Sequence, residues 1–372
     1  MTAAACAVAA VPAVAAPRAQ IEWLTPAAPR PAPQTPAQEA QGRAQGRPLP
    51  TPELLEPTLD LRLPAYTKPT GLHLSGTYKL ACSDVLPDLV RRWITGFEAL
   101  YPDVHLQLTP PFAGSLGAVK LAKGDIDGVF VSRELRPSDI AAFKAKYGYP
   151  PLSVPVSAGT WRHFGFLDAV VVFVNRDNPV SRLSFADLDR AFSRTHWRGG
   201  KAALTWGDLG ATGAWATRPI HLYGIKPWNG FEEFVRERVL NGKGKRGEWR
   251  DGITFSKTVF PVASQVAADP DGLGYSGLAF VDAPVKLLPL QADAGQPFVA
   301  PDYSDVANGT YPLARLVYFN TRRAPGQPLT PVFAEFLRYI LSSSGQQKVL
   351  DQAVYLPLRA EQAASARALI AP

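Results

Sequence analysis

From Gly71 onward the chain alternates short apolar runs with stretches of helical spacing, and this alternation restricts the fold more than any single motif does. Strands that alternate with helices mark an α/β protein, in which helices cover the sheet whose strands they connect. Thr77-Tyr-Lys-Leu-Ala-Cys82 predicts a strand. Ser83 or Asp84 then caps a helix that places Leu86, Leu89, Val90, Trp93, Ile94, Phe97 and Leu100 at helical spacing. Pro87 fits only in the first turn of that helix, and Tyr101-Pro102 ends it. Val104-His-Leu-Gln-Leu108 alternates as a second strand. A loop through Gly114-Ser115 then leads into a helix from Leu116, and Gly124-Asp-Ile-Asp127 leads into Gly128-Val-Phe-Val-Ser132. Arg136-Pro-Ser-Asp139 opens the next helix. Asp168-Ala-Val-Val-Val-Phe-Val174 is apolar after its first residue, as a strand covered on both faces is. Ile220-His-Leu-Tyr223 predicts a strand that passes through Gly224-Ile-Lys-Pro-Trp-Asn-Gly230 into a helix from Phe231 to Leu240. Pro331 to Leu350 predicts an amphipathic helix.

At 372 residues the chain exceeds one ordinary core and suits about two domains. Its 46% apolar and 19% charged residues can bury those cores, which excludes a wholly disordered chain, a collagen and a coiled coil. Beyond the N-terminus no uninterrupted 18-residue apolar run occurs, so a multi-span membrane protein is excluded. Two cysteines, Cys6 and Cys82, exclude a disulfide framework and a four-cysteine zinc site. The histidines are scattered singly, and no metal site is expected. The net charge of +7 suits an anionic ligand, nucleic acid or an anionic membrane surface, or serves solubility alone. Because the basic residues are spread out, nucleic acid is not an expected partner. The one tight run, Lys243-Gly-Lys245-Arg246, sits among glycines and reads as a solvated loop.

Residues 1–16 carry no charge and are mostly Ala and Val, with small residues at the positions a signal peptidase reads in Ala13-Val14-Ala15. They are expected to direct export to the periplasm. Ala-Ala-Ala-Cys6 resembles a lipoprotein box but lacks its leading leucine, so a lipid anchor is the weaker reading. Residues 17–70 hold twelve of the 36 prolines and the repeat Ala-Gln-Gly-Arg ending at Arg47, a composition that predicts a flexible tether. Leu54 to Leu63 carries enough leucine to pack on the body as a short arm.

Three strand-to-helix junctions carry a serine: Ser83, Ser115 and Ser132. In a parallel α/β sheet such junctions gather at the carboxyl ends of the strands, where free backbone N–H groups and helix dipoles favour an anion. Each serine alone is an ordinary helix cap. Three at successive junctions point to an oxyanion site. The junction Gly224 to Gly230 aims further amides at the same cleft, with Lys226 and Asn229 beside it.

The order of segments resembles the phosphate-binding protein of bacterial phosphate ABC importers and its relatives, of the type II periplasmic binding fold. The matching pieces are Cys-Ser-Asp84, Gly114-Ser115, Gly-Asp-Ile-Asp127 with Ser132-Arg133, and Asp168-Ala-Val-Val-Val. Asn-Arg-Asp-Asn-Pro179, Leu-Ser-Phe-Ala-Asp-Leu188, Trp-Gly-Asp-Leu209 and Gly-Leu-Gly-Tyr275 follow, then Tyr-Pro-Leu313, Ser-Ser-Gly-Gln-Gln347 and Tyr-Leu-Pro-Leu358. The resemblance spans roughly residues 71 to 360. It implies an α/β protein of two lobes, each a mostly parallel sheet flanked by helices, with a cleft between them. One lobe would comprise residues 71–169 and 277–372, the other residues 170–276, with crossings near Ala169 and Gly277.

By the same resemblance the ligand loops fall on Ser83 and Asp84, on Gly114 and Ser115, and on Ser132 and Arg133. Arg133 would be the guanidinium that a buried phosphate needs, or would pair with Glu134 or Asp139. Asp84 would accept the proton of HPO4 and repel sulfate, or serve only as a helix cap. A fourth loop falls on Lys226, Trp228, Asn229 and Gly230. Relatives present a basic residue and a Ser-Gly-Thr run there. Here Trp228-Asn229-Gly230-Phe231 replaces that run, which removes a hydroxyl and adds an aromatic wall. The expected function is capture of phosphate or a related oxyanion for ABC import or sensing, by a monomer without cofactor and with a possible ABC permease as partner. The alternative is a secreted interaction protein with an altered site. No Gly-x-Ser-x-Gly and no His–Asp cluster is visible, so an enzyme is not expected.

Overall fold

In a computed structural model of the chain, residues 30–31, 40, 53–54, 59–110, 112–161, 167–227 and 229–371 are described. The export signal expected at residues 1–16 lies outside them, as does most of the tether. Within the tether, Arg30–Pro31 pairs antiparallel with Glu53–Leu54.

The alternation read in the sequence builds two five-stranded sheets. The first gathers β1 (Gly76–Cys82), β2 (Val104–Leu108), β3 (Gly128–Val131) and β4 (Leu152–Ala158). Their connecting helices are α1 (Pro87–Glu98), α2 (Gly114–Lys123) and α3 (Pro137–Tyr147). The second gathers β5 (Val170–Asn175), β6 (His221–Ile225), β7 (Thr254–Ser256), β8 (Gly272–Gly277) and β9 (Val285–Leu287). Among its helices are α4 (Phe185–Phe192), α5 (Gly230–Val235) and α6 (Pro261–Ala268). The chain then returns through α7 (Tyr303–Asn308) to β10 (Leu316–Thr321) in the first sheet, and ends with α8 (Pro331–Ile340), α9 (Ser343–Gln352) and α10 (Ala360–Ile370).

Strand order is β2-β1-β3-β10-β4 in the first sheet and β7-β6-β8-β5-β9 in the second. In each, one strand runs against the other four: β10 is antiparallel to β3 and β4, and β5 to β8 and β9. These two are the strands by which the chain enters one sheet from the other. Val170 at the start of β5 faces Gly277 at the end of β8, and Tyr318 early in β10 faces Val131 at the end of β3. Both crossings therefore lie at the carboxyl ends of the parallel strands, the place where such sheets bind ligands. The crossing segments touch each other. Val170 N donates to Leu313 O at 3.2 Å, and Gly159 N to Arg315 O at 2.7 Å. Gly159 has no room for a side chain, since a Cβ there would come within 2.6 Å of Leu167 O.

Each sheet has its own core. Trp93, Phe97, Phe130, Phe319 and Phe336 pack in the first, and Phe173, Phe192, Trp206 and Tyr275 in the second. The second crossing is not at Gly277 as expected. After β8 the chain makes a 3-10 turn at Leu278–Phe280 and adds β9 beside β5, and buried residues as far as Ala314 belong to the second core. The return comes at Arg315. The helix expected from Pro331 to Leu350 is two helices, broken at Leu341, with Ser342 Oγ capping the second from Gly345 N. The expected helix from Phe231 to Leu240 is α5 running into a π-helical turn, Arg236–Leu240.

The body begins at about Leu59 rather than Gly71. Leu63 is buried in the first core, and Asp60 is buried against Arg359 at 3.3 Å. Burial pushes the Asp60 carboxyl up. Hydrogen bonds from Arg62 and from the Ala360 and Arg62 amides, with the Arg359 charge, outweigh it and hold the group at about 2. Removal of one member of a buried pair leaves the other charge unmatched. Asp60→Ala is expected to lower stability at pH 7 by about 3 kcal/mol in urea titration. Because the folded pKa lies below the unfolded one, that difference should shrink as pH falls from about 4 towards 2.

Candidate functional site

The carboxyl ends of β1, β2 and β3 bring three junctions together. The buried Ser83 follows β1, and its Oγ accepts a hydrogen bond from Ser132 N, just after β3, at 3.2 Å. The two hydroxyls lie 3.4 Å apart. Gly114, which opens α2 after β2, lies against the same oxygen, and a Cβ there would collide with Ser83 Oγ. Only glycine lets the third junction close on the other two. No side chain caps α2, so its first amides stay available. Ser115, one residue into the helix, is exposed.

Neither Ser83 nor Asp84 caps α1. Leu86 precedes it without a side-chain cap, and Pro87 occupies its first turn. Ser83 faces Ser132 instead. Asp84 is exposed, and its carboxylate accepts from Val85 N at 3.1 Å. Arg133 takes the second of the two courses open to it. Its guanidinium pairs with Asp139 at 3.2 Å and donates to Glu134 O at 2.7 Å. Cys82 is a buried free thiol, pushed up to about 12 by burial, and so is a poor nucleophile.

The guanidinium at this junction is that of Arg315, at the return crossing. Its Nη2 donates to Ser132 O at 3.4 Å, and its buried Nε has no hydrogen-bond partner. The group lies over the rings of Phe231 and Phe234 of α5, 5.4 and 5.3 Å from their centroids. Burial draws its pKa below the usual range for arginine, against the opposing pull of Asp168. Asp168, at the first crossing, is fully buried. One of its oxygens accepts from Ala279 N at 3.0 Å, and the other, Oδ1, has no partner. Burial raises this carboxyl to about 7, although the Ala279 amide and Arg315 act against it. No ion pair within 4 Å joins Asp168 to Arg315 among the described residues.

The second sheet supplies the fourth junction. Asn229 Oδ1 caps α5 by accepting from Phe231 N at 2.9 Å, and Gly230 is exposed with open space where a Cβ would stand. Lys226 has an exposed side chain, and its amide donates to Ser256 O at 2.9 Å. Trp228 lies outside the described residues. Phe231, whose side chain replaces the expected hydroxyl, forms a ring face beneath Arg315. Sequence reasoning missed Arg315 and Asp168. Both stand at the edge of segments already singled out, Tyr-Pro-Leu313 and Asp168-Ala-Val-Val-Val, and the signal lay in their charge beside an apolar strand.

The family model described as a PBP superfamily domain matches residues 67–344. The phosphate-binding protein PstS of Pseudomonas aeruginosa is 36% identical over 310 residues, which cover 83% of this chain and 90% of that one. Protein SphX of Synechococcus elongatus is 26% identical over 274 residues, 71% of this chain and 73% of that one. Among solved structures, PstS from Borrelia burgdorferi superposes with a TM-score of 0.52 at 13% identity, over 77% of this chain and all of that one, which shows a common fold.

The buried carboxyl of Asp168 makes stability depend on pH. Its folded pKa lies above its ordinary value of 3.8. Between about 4 and 7 the folded chain binds a proton that the unfolded chain releases, so stability falls as pH rises and levels off above about 7. The loss is up to about 4 kcal/mol. Asp168→Asn keeps an acceptor for Ala279 N and cannot ionise. It is expected to remove this slope and to raise the urea midpoint at pH 8. An unchanged profile would mean that Asp168 stays ionised in the fold.

Proposed function

The chain belongs to the PBP superfamily as a relative of bacterial phosphate-binding proteins, and from that premise we propose that it captures phosphate or a related oxyanion in the cleft between its sheets. The protein works in the periplasm by binding, not by turnover, for ABC import or sensing. A membrane permease is the partner that would receive the ligand.

One observation carries this reading: Ser83, Gly114 and Ser132 meet beside a half-buried Arg315 whose buried Nε is unmatched. A small oxyanion needs several N–H and O–H donors and one guanidinium. The first turn of α2 offers amides, Ser83 and Ser132 offer hydroxyls, and Arg315 offers the charge. Asp168 lies out of ion-pair range and does not occupy the free Nε donor of Arg315. On the opposite wall Gly230 and the side-chain amide of Asn229 face the anion across the cleft. Asp84, Ser115 and Lys226 are all exposed, and Arg133, paired with Asp139, supports the loop rather than the ligand.

Calorimetry on ligand-stripped protein with phosphate, sulfate and a phosphate monoester tests the proposal. Phosphate is expected to bind at micromolar or tighter concentration. Arg315→Gln should weaken it by a hundredfold or more, about 3 kcal/mol, and Ser132→Ala by roughly tenfold, about 1.4 kcal/mol. Arg133→Ala should change affinity little. No response to any of the anions would refute oxyanion capture. Full affinity in Arg315→Gln would instead move the site elsewhere.

A further inference from the structure

We propose that two ion pairs of opposite sense form a latch across the cleft, which favours the closed form before ligand arrives and thereby sets the affinity. On the first lobe, the residues after β3 carry Glu134 and Arg136. On the second, α5 and its π-helical extension carry Glu233 and Arg238. Arg136 pairs with the buried Glu233, and Arg238 pairs with Glu134 at 3.2 Å. Each lobe thus gives one cation and one anion. Glu134 is fixed in place by the Tyr318 hydroxyl, which donates to it at 2.8 Å. A cavity of about 170 Å³ lies beside the first pair, lined in part by Arg136, Ser138, Glu233 and Glu237.

The reciprocal arrangement matters physically. A slide of one lobe along the other sets Arg136 towards Arg238, or Glu134 towards Glu233, and like charges repel. Only one closed register satisfies both pairs. Opening the cleft separates both at once, because each pair has one partner on either lobe. None of the four side chains is among those proposed to touch the anion. They lie on the segments after β3 and β6 that also carry Ser132 and Gly230. The latch therefore acts on the ligand through closure: the apparent dissociation constant is the closed-form constant divided by the fraction closed.

The test reads closure without any ligand, so it stands even if the proposed anion is wrong. Fluorophores on Lys123→Cys and Asp251→Cys, in full-length protein with Cys6→Ser, report the distance between lobes; Cys82 is buried and stays unlabelled. Phosphate-free protein is expected to show mainly the closed distance, and to shift towards a longer one in 1 M NaCl. Arg136→Glu should open the cleft and weaken phosphate binding about tenfold. Arg136→Glu with Glu233→Arg should restore both the distance and the affinity. The same series at Glu134 and Arg238 serves as a second, independent swap should the first variant not fold. A distance that ignores salt and both single reversals, or swaps that restore nothing, would overturn the latch. Rescue of distance without any phosphate response would keep the latch and reject phosphate as the guest.

Discussion

A guanidinium buried without a carboxylate at its side is unfavourable, and the centre of this molecule is arranged around that condition at Arg315. The rings of Phe231 and Phe234 lie under it. A desolvated cation–π contact contributes about 2 kcal/mol, less than the several kcal/mol a buried charge loses on leaving water. The obvious remedy, Asp168, is near but is not placed to form an ion pair, and burial keeps much of it protonated at neutral pH. The deficit is left for a guest to fill. A small anion supplies what the chain withholds, and the donors of Ser83, Ser132 and α2 add to the attraction. The same argument accounts for Phe231 standing where a hydroxyl was expected. It loses one donor but gives the arginine a face to rest on.

The topology explains why Arg315 can be there at all. Each sheet is entered by a strand that runs against its neighbours, so both crossings are forced to the ends where the parallel strands terminate. Asp168 precedes β5 and Arg315 precedes β10, each at the last position before the chain commits to a lobe. Hydrogen bonds between the crossings, from Val170 to Leu313 and from Gly159 to Arg315, tie the two segments into one hinge. The charge of the site therefore sits on the hinge and moves least when the lobes move.

Much of this was legible in the residues. Apolar and alternating runs mark β1, β2, β3, β5 and β6, whereas β4, β7, β8, β9 and β10 carry no such signal, and the serines at successive junctions point to Ser83 and Ser132 lying together. What escaped depended on tertiary context. Arg133 follows Ser132 directly and looks like the obvious cation, yet Asp139, six residues on in the first turn of α3, binds it. Arg315 follows a proline-containing segment with no periodicity, and only the crossing brings it to Ser132, 183 residues earlier. The boundary at Gly277 was misjudged because β9 has three residues, too few to show an alternation. Its place beside β5 comes from pairing alone.

Binding and closure share their supports. Ser132 and Glu134 are two residues apart, and Glu233 follows Gly230 within the same helix, so a shift that seats the anion also moves the latch. Such an arrangement has a limit. If the ion pairs were strong, the cleft would stay shut and exchange would be slow; if absent, the anion alone would have to order two lobes. The side chains point to an intermediate case. Arg136, Arg238 and Glu134 remain about a third exposed, at 32, 39 and 32%, so water and salt screen them. Glu237 stands on the same turn. Burial raises it to about 7, and the neighbouring Glu134 and Glu233 add to that against the pull of Arg133. A third carboxylate in that company opposes the two that pair, so the closed form is favoured only modestly and the cleft can still open for exchange.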